Sequence, residues 1–404
     1  MKNARILISA VLSAMILTGA CTGALAAEEG LSEQVTLYVA TDLHYLSPEL
    51  TDHGDFFQRM IRNGDGKAME YCEEVTDALV EQVIAQQPDA LILTGDLTFN
   101  GARLSHTALA EKLRQIEDGG VPVLVIPGNH DLKNRLAASF QGEGYELVDS
   151  VNAREFAEIY KDFGLGEAIA RDDASLSYVA EVTRSLWVLM LDVNAFGAGS
   201  IDAETLRWVE QQLQAAQEQG VHMIAASHQN LLVHNDMFVY GYVIGNRFKL
   251  QALYDDYGVL CNLSGHIHMQ HTTRSASGLP EMVTSSLMVW PNQYGVLTLE
   301  GKSAEYHTAS VAADQPELAD ATHAFFWDNA YGQAMSSLGE EADEALGRFF
   351  ADANTAYFAG RLDQLPWDEE QVAAWQTSGA RFASYFETIA DDRLDHTVLT
   401  FDFD

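Results

Sequence analysis

Short apolar runs alternate with longer amphipathic segments from about residue 35 to residue 300. Most of the short runs are rich in Val, Ile and Leu, as strands covered on both faces are: Val35–Ala40, Ala90–Thr94, Val121–Ile126, Leu186–Leu191, His222–Ala226 and Val259–Leu263. The longer segments carry helical periodicity: Tyr71–Gln87, Leu104–Glu117, Ala203–Gln219 and Arg247–Tyr257. This alternation is typical of β-α-β units, so the sequence predicts an α/β fold.

The pattern changes after about residue 310 to acidic helices that are rich in aromatic side chains. We therefore predict an α/β domain at 35–305 and a C-terminal helical domain at 311–404. The aromatic side chains recur at helical spacing, which predicts the core of a small bundle. A lid that stacks on a nucleobase is the alternative. These residues are Phe325, Phe326, Trp327, Phe349, Phe350, Tyr357, Phe358, Trp375, Phe382, Tyr385 and Phe386.

The N-terminus has the pattern of a signal peptide, predicted at residues 1–26. A basic start precedes the apolar run Ile6–Leu17, which is too short to cross a bilayer as a stable anchor. Two cleavage signals compete, because a loose lipoprotein box ends at Cys21 and an A-x-A site ends at Ala26. Both routes predict an extracytoplasmic protein, either secreted or held at the cell surface by a lipid anchor on Cys21.

Charge and cysteine content exclude several classes of protein. The chain has 59 acidic and 23 basic side chains, and its formal net charge of −36 repels phosphate polymers. We therefore expect no nucleic acid partner. Apart from Cys21, only Cys72 and Cys261 occur, which allows at most one internal disulfide and no zinc site built from spaced cysteines.

Polar clusters follow five of the predicted strands. In open α/β sheets, ligands bind at the carboxyl ends of the strands, so these clusters can converge on one site. A single Asp or His at a strand end is most often a loop residue, but five clusters in register indicate a shared function. They are Asp42-Leu43-His44, Gly95-Asp96, Gly128-Asn129-His130-Asp131, Ser227-His228 and Gly265-His266-Ile267-His268.

The residue types in these clusters are those of a transition-metal site. In Asp42-x-His44 and His266-x-His268, the spacing on extended backbone places both side chains on one side. Carboxylate, imidazole and amide groups together suit Mn, Fe or Zn better than Ca or Cu(I). Glycine starts three of the clusters, at Gly95, Gly128 and Gly265. It permits the tight turns that a chain leaving a strand requires.

In this order, the five clusters resemble the motifs of the calcineurin-like metallophosphoesterases over about residues 35–300. The run Gly95–Gly101 with Gly128–Asp131 is most similar to the class III cyclic nucleotide phosphodiesterases, including exported Gram-positive members with a helical C-terminal part. The resemblance implies a four-layer αββα sandwich with a C-terminal all-helical module. It also implies two divalent metals (Mn, Fe or Zn) and attack on the phosphate ester by a bridging hydroxide.

The resemblance assigns seven metal ligands: Asp42, His44 and His268 to one metal, Asn129, His228 and His266 to the other, and Asp96 to both. His130 would meet the substrate phosphate or the leaving-group oxygen. Asp131 would orient the imidazole of His130, or it would cap a helix that starts at Leu132. Phe99 stands where purple acid phosphatases have a Tyr ligand, which excludes a phenolate-ligated ferric site at that position.

These features predict a hydrolase that cleaves a small phosphodiester such as a cyclic nucleotide. An extracytoplasmic phosphomonoesterase or nucleotidase that uses the same site is the alternative. A non-catalytic binding module on the same fold is a remote third reading, disfavoured because the ligand set is complete. The oligomeric state stays open.

Overall fold

The computed structural model of the chain describes residues 30–197, 199–339 and 343–403. The predicted signal peptide, with Cys21, lies outside these ranges. Within them, no helix combines the length and the apolar character needed to span a membrane.

Fifteen strands occur in the described residues. In chain order they are β1 (Leu31–Ala40), β2 (Ala90–Leu93), β3 (Val123–Val125), β4 (Ala138–Gln141), β5 (Gly144–Leu147), β6 (Ala170–Arg171), β7 (Tyr178–Thr183), β8 (Leu186–Leu191), β9 (His222–Ser227), β10 (Asn262–Ser264), β11 (His271–Arg274), β12 (Pro280–Val283), β13 (Gln293–Gly301), β14 (Ser303–Ser310) and β15 (Val398–Asp402). The α-helices are α1 (Asp55–Arg62), α2 (Cys72–Gln86), α3 (Arg103–Asp118), α4 (Ala153–Ile159), α5 (Ala203–Gln219), α6 (Arg247–Tyr257), α7 (Pro316–Leu338), α8 (Glu344–Phe358), α9 (Glu369–Thr377) and α10 (Tyr385–Ile389).

Two mixed sheets form the centre of the fold. The first has six strands in the order β15-β14-β13-β1-β2-β3, and the second has seven in the order β11-β12-β10-β9-β8-β7-β6. Strands β1, β2 and β3 are parallel, as are β8, β9, β10 and β12, so each sheet brings several carboxyl ends to one edge. Strands β4 and β5 form a separate hairpin.

Strand β8 shows how the layers are built. Leu186, Val188 and Met190 pack into the core that both sheets share. The alternate residues of β8 pack with α5 and α6 in a second core. Helices α2 and α3 cover the first sheet, and their apolar residues join the shared core. The predicted α/β class and the four-layer αββα sandwich are confirmed.

The C-terminal helices α7 to α10 enclose an aromatic core of their own. Phe350 contacts Trp375 and Tyr385, with ring centroids 5.2 and 5.4 Å apart. Ile267 and Val283 of the sandwich belong to the same core, so the helical module packs directly against the sandwich. The predicted bundle core is therefore present.

The end of the chain differs from the all-helical prediction for 311–404. Strand β15 pairs antiparallel with β14 and becomes the edge of the first sheet. This short strand has the sequence Val398-Leu-Thr-Phe-Asp402, and it pairs with backbone groups of β14 that would otherwise be exposed at the sheet edge. In the segment before β15, the two carboxylate oxygens of Asp392 contact the rings of His271, on β11, and His396, at 2.9 and 3.0 Å.

Both internal cysteines are free, buried thiols. Burial raises the pKa of Cys72 to about 12 and raises that of Cys261 as well. Such thiols act as small apolar side chains in the core.

Candidate metal centre

The seven predicted ligands meet at the edge where both sheets end. Asp42 and His44 follow β1, Asp96 follows β2, and Asn129 follows β3. From the second sheet, His228 directly follows β9, and the pair at 266 and 268 follows β10. Convergence therefore comes from the parallel strand order, as the sequence pattern predicted.

Five of these ligands have a left-handed backbone conformation, which is unusual for residues other than glycine. Their φ values are 50° for Asp42, 42° for His44, 45° for Asp96, 71° for His266 and 60° for His268. Each such residue costs on the order of 1–3 kcal/mol and persists where the surroundings determine it. Cross-loop hydrogen bonds do so here, because the amides of Asp42 and His44 donate to the carbonyls of Gly95 and Asp96, each at 3.0 Å.

Asp42, His44 and His268 form the first ligand group. The Nε2 atoms of the two histidines lie 3.1 Å apart, and they are 3.7 and 3.3 Å from Asp42 Oδ1. That oxygen is buried and has no hydrogen-bond partner among the described residues, whereas Asp42 Oδ2 accepts bonds from Thr41 and from the amide of His266. An orphaned carboxylate oxygen facing two imidazole nitrogens fits a divalent cation.

Asp96, Asn129, His228 and His266 form the second group. His228 Nε2 is 3.1 Å from Asn129 Oδ1 and 3.4 Å from Asp96 Oδ2. His228 Nδ1 donates to the carbonyl of Thr94 at 3.0 Å, and His266 Nε2 donates to a backbone carbonyl at 3.1 Å. Each of these bonds sets the tautomer and leaves the other ring nitrogen free to bind a metal.

Asp96 lies between the two groups. Its Oδ1 accepts a hydrogen bond from the amide of His130 at 2.8 Å. Its Oδ2 faces both sides, at 3.4 Å from His228 Nε2 and 4.0 Å from His44 Nε2. This position suits the bridging role that the resemblance implies.

Two glycines are required by this packing. Gly95 has a φ of 102°, and a Cβ there would also press on the ring of His228. At Gly128, a Cβ would overlap the carboxylate of Asp96. Gly95 thus serves the turn, as predicted, while Gly128 serves the close approach of two loops.

Protonation states before metal binding follow from the charges in the site. Burial raises the pKa of Asp96, but His228 and His130 outweigh it and hold that pKa well below its usual value. Burial, reinforced by Lys67, lowers the pKa of His44. Burial also opposes charge on His228, yet the carboxylate of Asp96 raises its pKa to about 9. A cation that binds His228 at neutral pH must therefore displace a proton.

His130 projects toward the centre from the loop after β3. Its Nδ1 meets the carbonyl oxygen of Phe99 at 2.8 Å, and its Nε2 is 3.8 Å from Asp96 Oδ2. The side chain is 37% exposed, against 2% for the side chain of Asp96. One nitrogen of His130 also lies within 4.8 Å of the ligand atoms of Asp96 and His44. This position is compatible with His130 as a metal ligand and with His130 as a proton donor.

The expected role of Asp131 requires correction. Its buried carboxylate accepts bonds from the amides of Leu97, Thr98 and Gly128 at 2.8–3.0 Å, and from the hydroxyl of Thr98 at 2.9 Å. The group that orients the imidazole of His130 is the Phe99 carbonyl instead. No α-helix starts at residue 132, so the capping alternative also fails within the described chain.

Sequence reasoning missed Asp65 and Lys67. Lys67 is only 7% exposed, and its Nζ lies 2.8 Å from Asp65 Oδ2, which is 3.8 Å from His268 Nδ1. Helix α7 holds this loop, because Asn329 donates to the carbonyl of Arg62 at 2.9 Å. The run Asn63-Gly-Asp-Gly-Lys67 has the composition of an ordinary loop, and only the fold brings it to the metal ligands.

Two cavities meet at the ligand cluster, and Asp65, Lys67 and His130 line both. The module cavity, of about 480 Å³, lies under the helical module. It is lined by Phe238, Tyr242, Asn329, Asn354, Phe358 and Arg381, among others. The apolar groove, of about 700 Å³, extends from the same three residues to the hairpin of β4 and β5. Its apolar lining includes Phe56, Met60, Phe99, Leu136, Phe140 and Tyr145.

We predict that Asp96→Ala binds less than one metal per chain, whereas His44→Ala keeps about one of two, because only Asp96 faces both ligand groups. Elemental analysis after reconstitution with Mn²⁺ measures this. Asp255→Ala, at a surface position away from the cluster, serves as the control and should keep both. Two metals retained in Asp96→Ala would refute its position as a bridge.

We predict that Asp131→Asn lowers the free energy of unfolding by about 2–4 kcal/mol, because an amide cannot accept all four hydrogen bonds and turns a donor toward a donor. Denaturant unfolding of the metal-free protein measures the loss. A stability equal to that of the parent would show that the carboxylate does not hold these loops.

Comparison with known proteins places these observations in a family. A profile of calcineurin-like phosphoesterases matches residues 35–270, more than half of the chain. A probable glycerophosphodiester phosphodiesterase of Arcobacter nitrofigilis is 27% identical over 190 residues, which cover 46% of this chain and 59% of that protein. A probable cyclic nucleotide phosphodiesterase of Pseudoalteromonas sp. is 32% identical over 128 residues, which cover 29% and 43%. The chain thus spans less than two thirds of each of these relatives.

A solved structure shares the fold. The dimetal phosphatase from Danio rerio superposes with a TM-score of 0.52 at 13% identity, over 69% of this chain and 96% of that one. The profile match spans every strand that supplies a predicted ligand, and it agrees with the resemblance in the motifs. The chain belongs to the calcineurin-like phosphoesterase family.

Proposed function

We propose that the protein is a metal-dependent hydrolase of small phosphodiesters. The observation that carries this proposal is the meeting of two cavities at the ligand cluster, on either side of Lys67 and His130. A phosphodiester carries two ester-linked organic groups on phosphorus and a monoester carries one, so two cavities match a diester. Relatives described as probable cyclic nucleotide and glycerophosphodiester phosphodiesterases support the same class.

The residues present suit two divalent cations of the Mn, Fe or Zn type. Asp42, His44 and His268 would hold one cation, Asn129, His228 and His266 the other, and Asp96 both. Bound there, the cations would lower the pKa of a water molecule and polarise the phosphoryl group. With only two carboxylates among the seven side chains, the occupied site has a net charge near +2. It therefore attracts phosphate within a chain of net charge −36.

Lys67 places an ammonium group where the two cavities meet, and Asp65 offsets its charge. The ammonium group lies mostly out of water, where a charge interacts more strongly with a partner, and Asp65 accepts only one of its three N–H groups. We assign Lys67 to a non-bridging phosphoryl oxygen, as charge-assisted hydrogen bonds from Lys to phosphate are strong.

His130 is placed to protonate the leaving oxygen. Because Nδ1–H donates to the Phe99 carbonyl, the proton that can be transferred is the one on Nε2 of the imidazolium form. Transfer leaves a neutral ring that keeps the Phe99 hydrogen bond, so the orientation survives the step. The ester oxygen departs as an alcohol.

A substrate panel tests the proposal. Metal-reconstituted full-length protein is assayed with bis(p-nitrophenyl) phosphate, p-nitrophenyl phosphate and 3′,5′-cyclic AMP, with chelated protein as the control. We expect the largest kcat/KM for a diester and loss of activity on chelation. A preference for p-nitrophenyl phosphate would favour the phosphomonoesterase instead. No hydrolysis with two metals bound would favour a binding module.

We predict that His130→Ala keeps both metals while kcat falls by about 10²–10⁴, the usual contribution of a positioned acid. The loss should be smaller for p-nitrophenyl esters than for alkyl esters, because p-nitrophenolate departs without protonation. Elemental analysis and kcat for both ester types measure this, with His323→Ala as a control on the exposed surface of α7. Loss of a metal from His130→Ala would make His130 a ligand, and equal losses for both esters would place it on the phosphoryl oxygens.

A further inference from the structure

We infer that the preferred substrates are acyclic phosphodiesters that join a polar arm to an apolar arm, with the apolar arm in the groove beside His130. This inference rests on the proposed phosphodiesterase activity and names a substrate class for it. These substrates differ from the cyclic nucleotides that the motif resemblance implies, and the reason lies in the different linings of the two cavities.

Aromatic and aliphatic side chains make up most of the lining of the apolar groove. Its ionisable groups, Asp65, Lys67 and His130, stand where it meets the module cavity, and Asn100 and Asn134 are its other polar side chains. Aromatic rings form much of the wall. Phe99 and Phe140 have ring centroids 6.0 Å apart, and two further rings stack at 6.3 Å. A molecule with a phosphate at one end and a hydrocarbon chain at the other matches this order of groups.

The groove opens to solvent at an exposed apolar rim. Leu136 is 72% exposed and Tyr145 is 59% exposed, and both line the groove. Leu147, at the end of the same hairpin, is 65% exposed. Adjacent exposed apolar side chains beside a catalytic cleft mark a surface for an apolar ligand. Strand β4 fixes the hairpin to the sandwich through the bridge between Thr51 and Phe140, so the rim belongs to the built site.

The module cavity combines polar groups with aromatic walls. Arg381, Asn329 and Asn354 supply a cation and amide groups, and aromatic rings, among them those of Phe358 and Tyr242, line much of the rest. Such a lining offers hydrogen bonds and ring faces to a polar group. The polar arm of the diester therefore belongs in the module cavity.

A cyclic phosphodiester uses the two cavities poorly. Both of its ester oxygens belong to one ring on one body, so the molecule occupies one cavity and leaves the other filled with water. An acyclic diester can send one substituent each way from the phosphorus. Every methylene that enters the apolar groove adds at most roughly a fourfold gain in affinity.

The test is a series of alkyl glycerol phosphodiesters with methyl, butyl and octyl groups, assayed below their micellar concentrations with metal-loaded full-length protein. Water adds to phosphorus and one alcohol departs from every member, and ³¹P NMR follows the loss of the diester across the whole series. We expect kcat/KM to rise with chain length, reaching about 10² for octyl over methyl, since each added methylene is only partly buried.

Leu136→Asp should cut the octyl-to-methyl ratio at least tenfold, because it puts a charge on the apolar rim. Tyr145→Ser is a second variant in the same rim that carries no new charge. Leu394→Asp is the matched control, since Leu394 is 59% exposed and is not among the groove residues. It should keep the parent ratio.

A ratio near one, with the methyl ester still hydrolysed, would overturn the inference and leave the phosphodiesterase proposal standing. A cyclic nucleotide hydrolysed faster than the octyl ester would overturn it as well. Absence of hydrolysis of every ester would instead count against the proposed function. A flat ratio, together with a dimer that Leu136→Asp converts to monomer in light scattering, would assign the groove to contact between copies of the chain.

Discussion

The buried carboxylate of Asp131 is the contact on which the geometry of the centre depends. It accepts hydrogen bonds from the loop after β2 and from its own loop after β3. Those two loops carry Asp96, Asn129 and His130, so one anion sets the spacing between a second carboxylate, an amide and an imidazole. The site is therefore held by the protein before any metal arrives. Of the five non-glycine residues with a left-handed backbone conformation, Asp96 lies on a loop that this carboxylate holds.

The sandwich and the convergence of the seven predicted ligands could be inferred from the sequence, because each signal was local. Strands such as β8 are continuous apolar runs, and the polar clusters stand directly after the strands. The ordered motifs then identified the family. The roles of Asp131 and Lys67 could not be predicted in this way. The sequence does not show whether a buried Asp accepts hydrogen bonds from backbone amides or orients a histidine. Lys67 reaches the centre only through a loop that helix α7 fixes.

The hairpin β4–β5 was also missed, for a related reason. Strand β5 is mostly exposed on both faces, so its sequence lacks the alternation of a half-buried strand. What matters about this hairpin is its position beside His130, which only the fold determines. The apolar rim and the helical module thus come from segments outside the ordered metal-binding motifs. The predicted metal ligands lie in the sandwich, whereas the segments around it supply much of the lining of both cavities.

Strand β15 gives the helical module a second attachment. The chain leaves the first sheet after β14, builds the four helices, and returns to pair with β14 again. In topological terms the module is an insertion between two neighbouring strands, and both of its ends are fixed to one sheet edge. Two attachments at one sheet edge allow rotation only about the line that joins them, so the pairing of β14 with β15 restricts the directions in which the module can move.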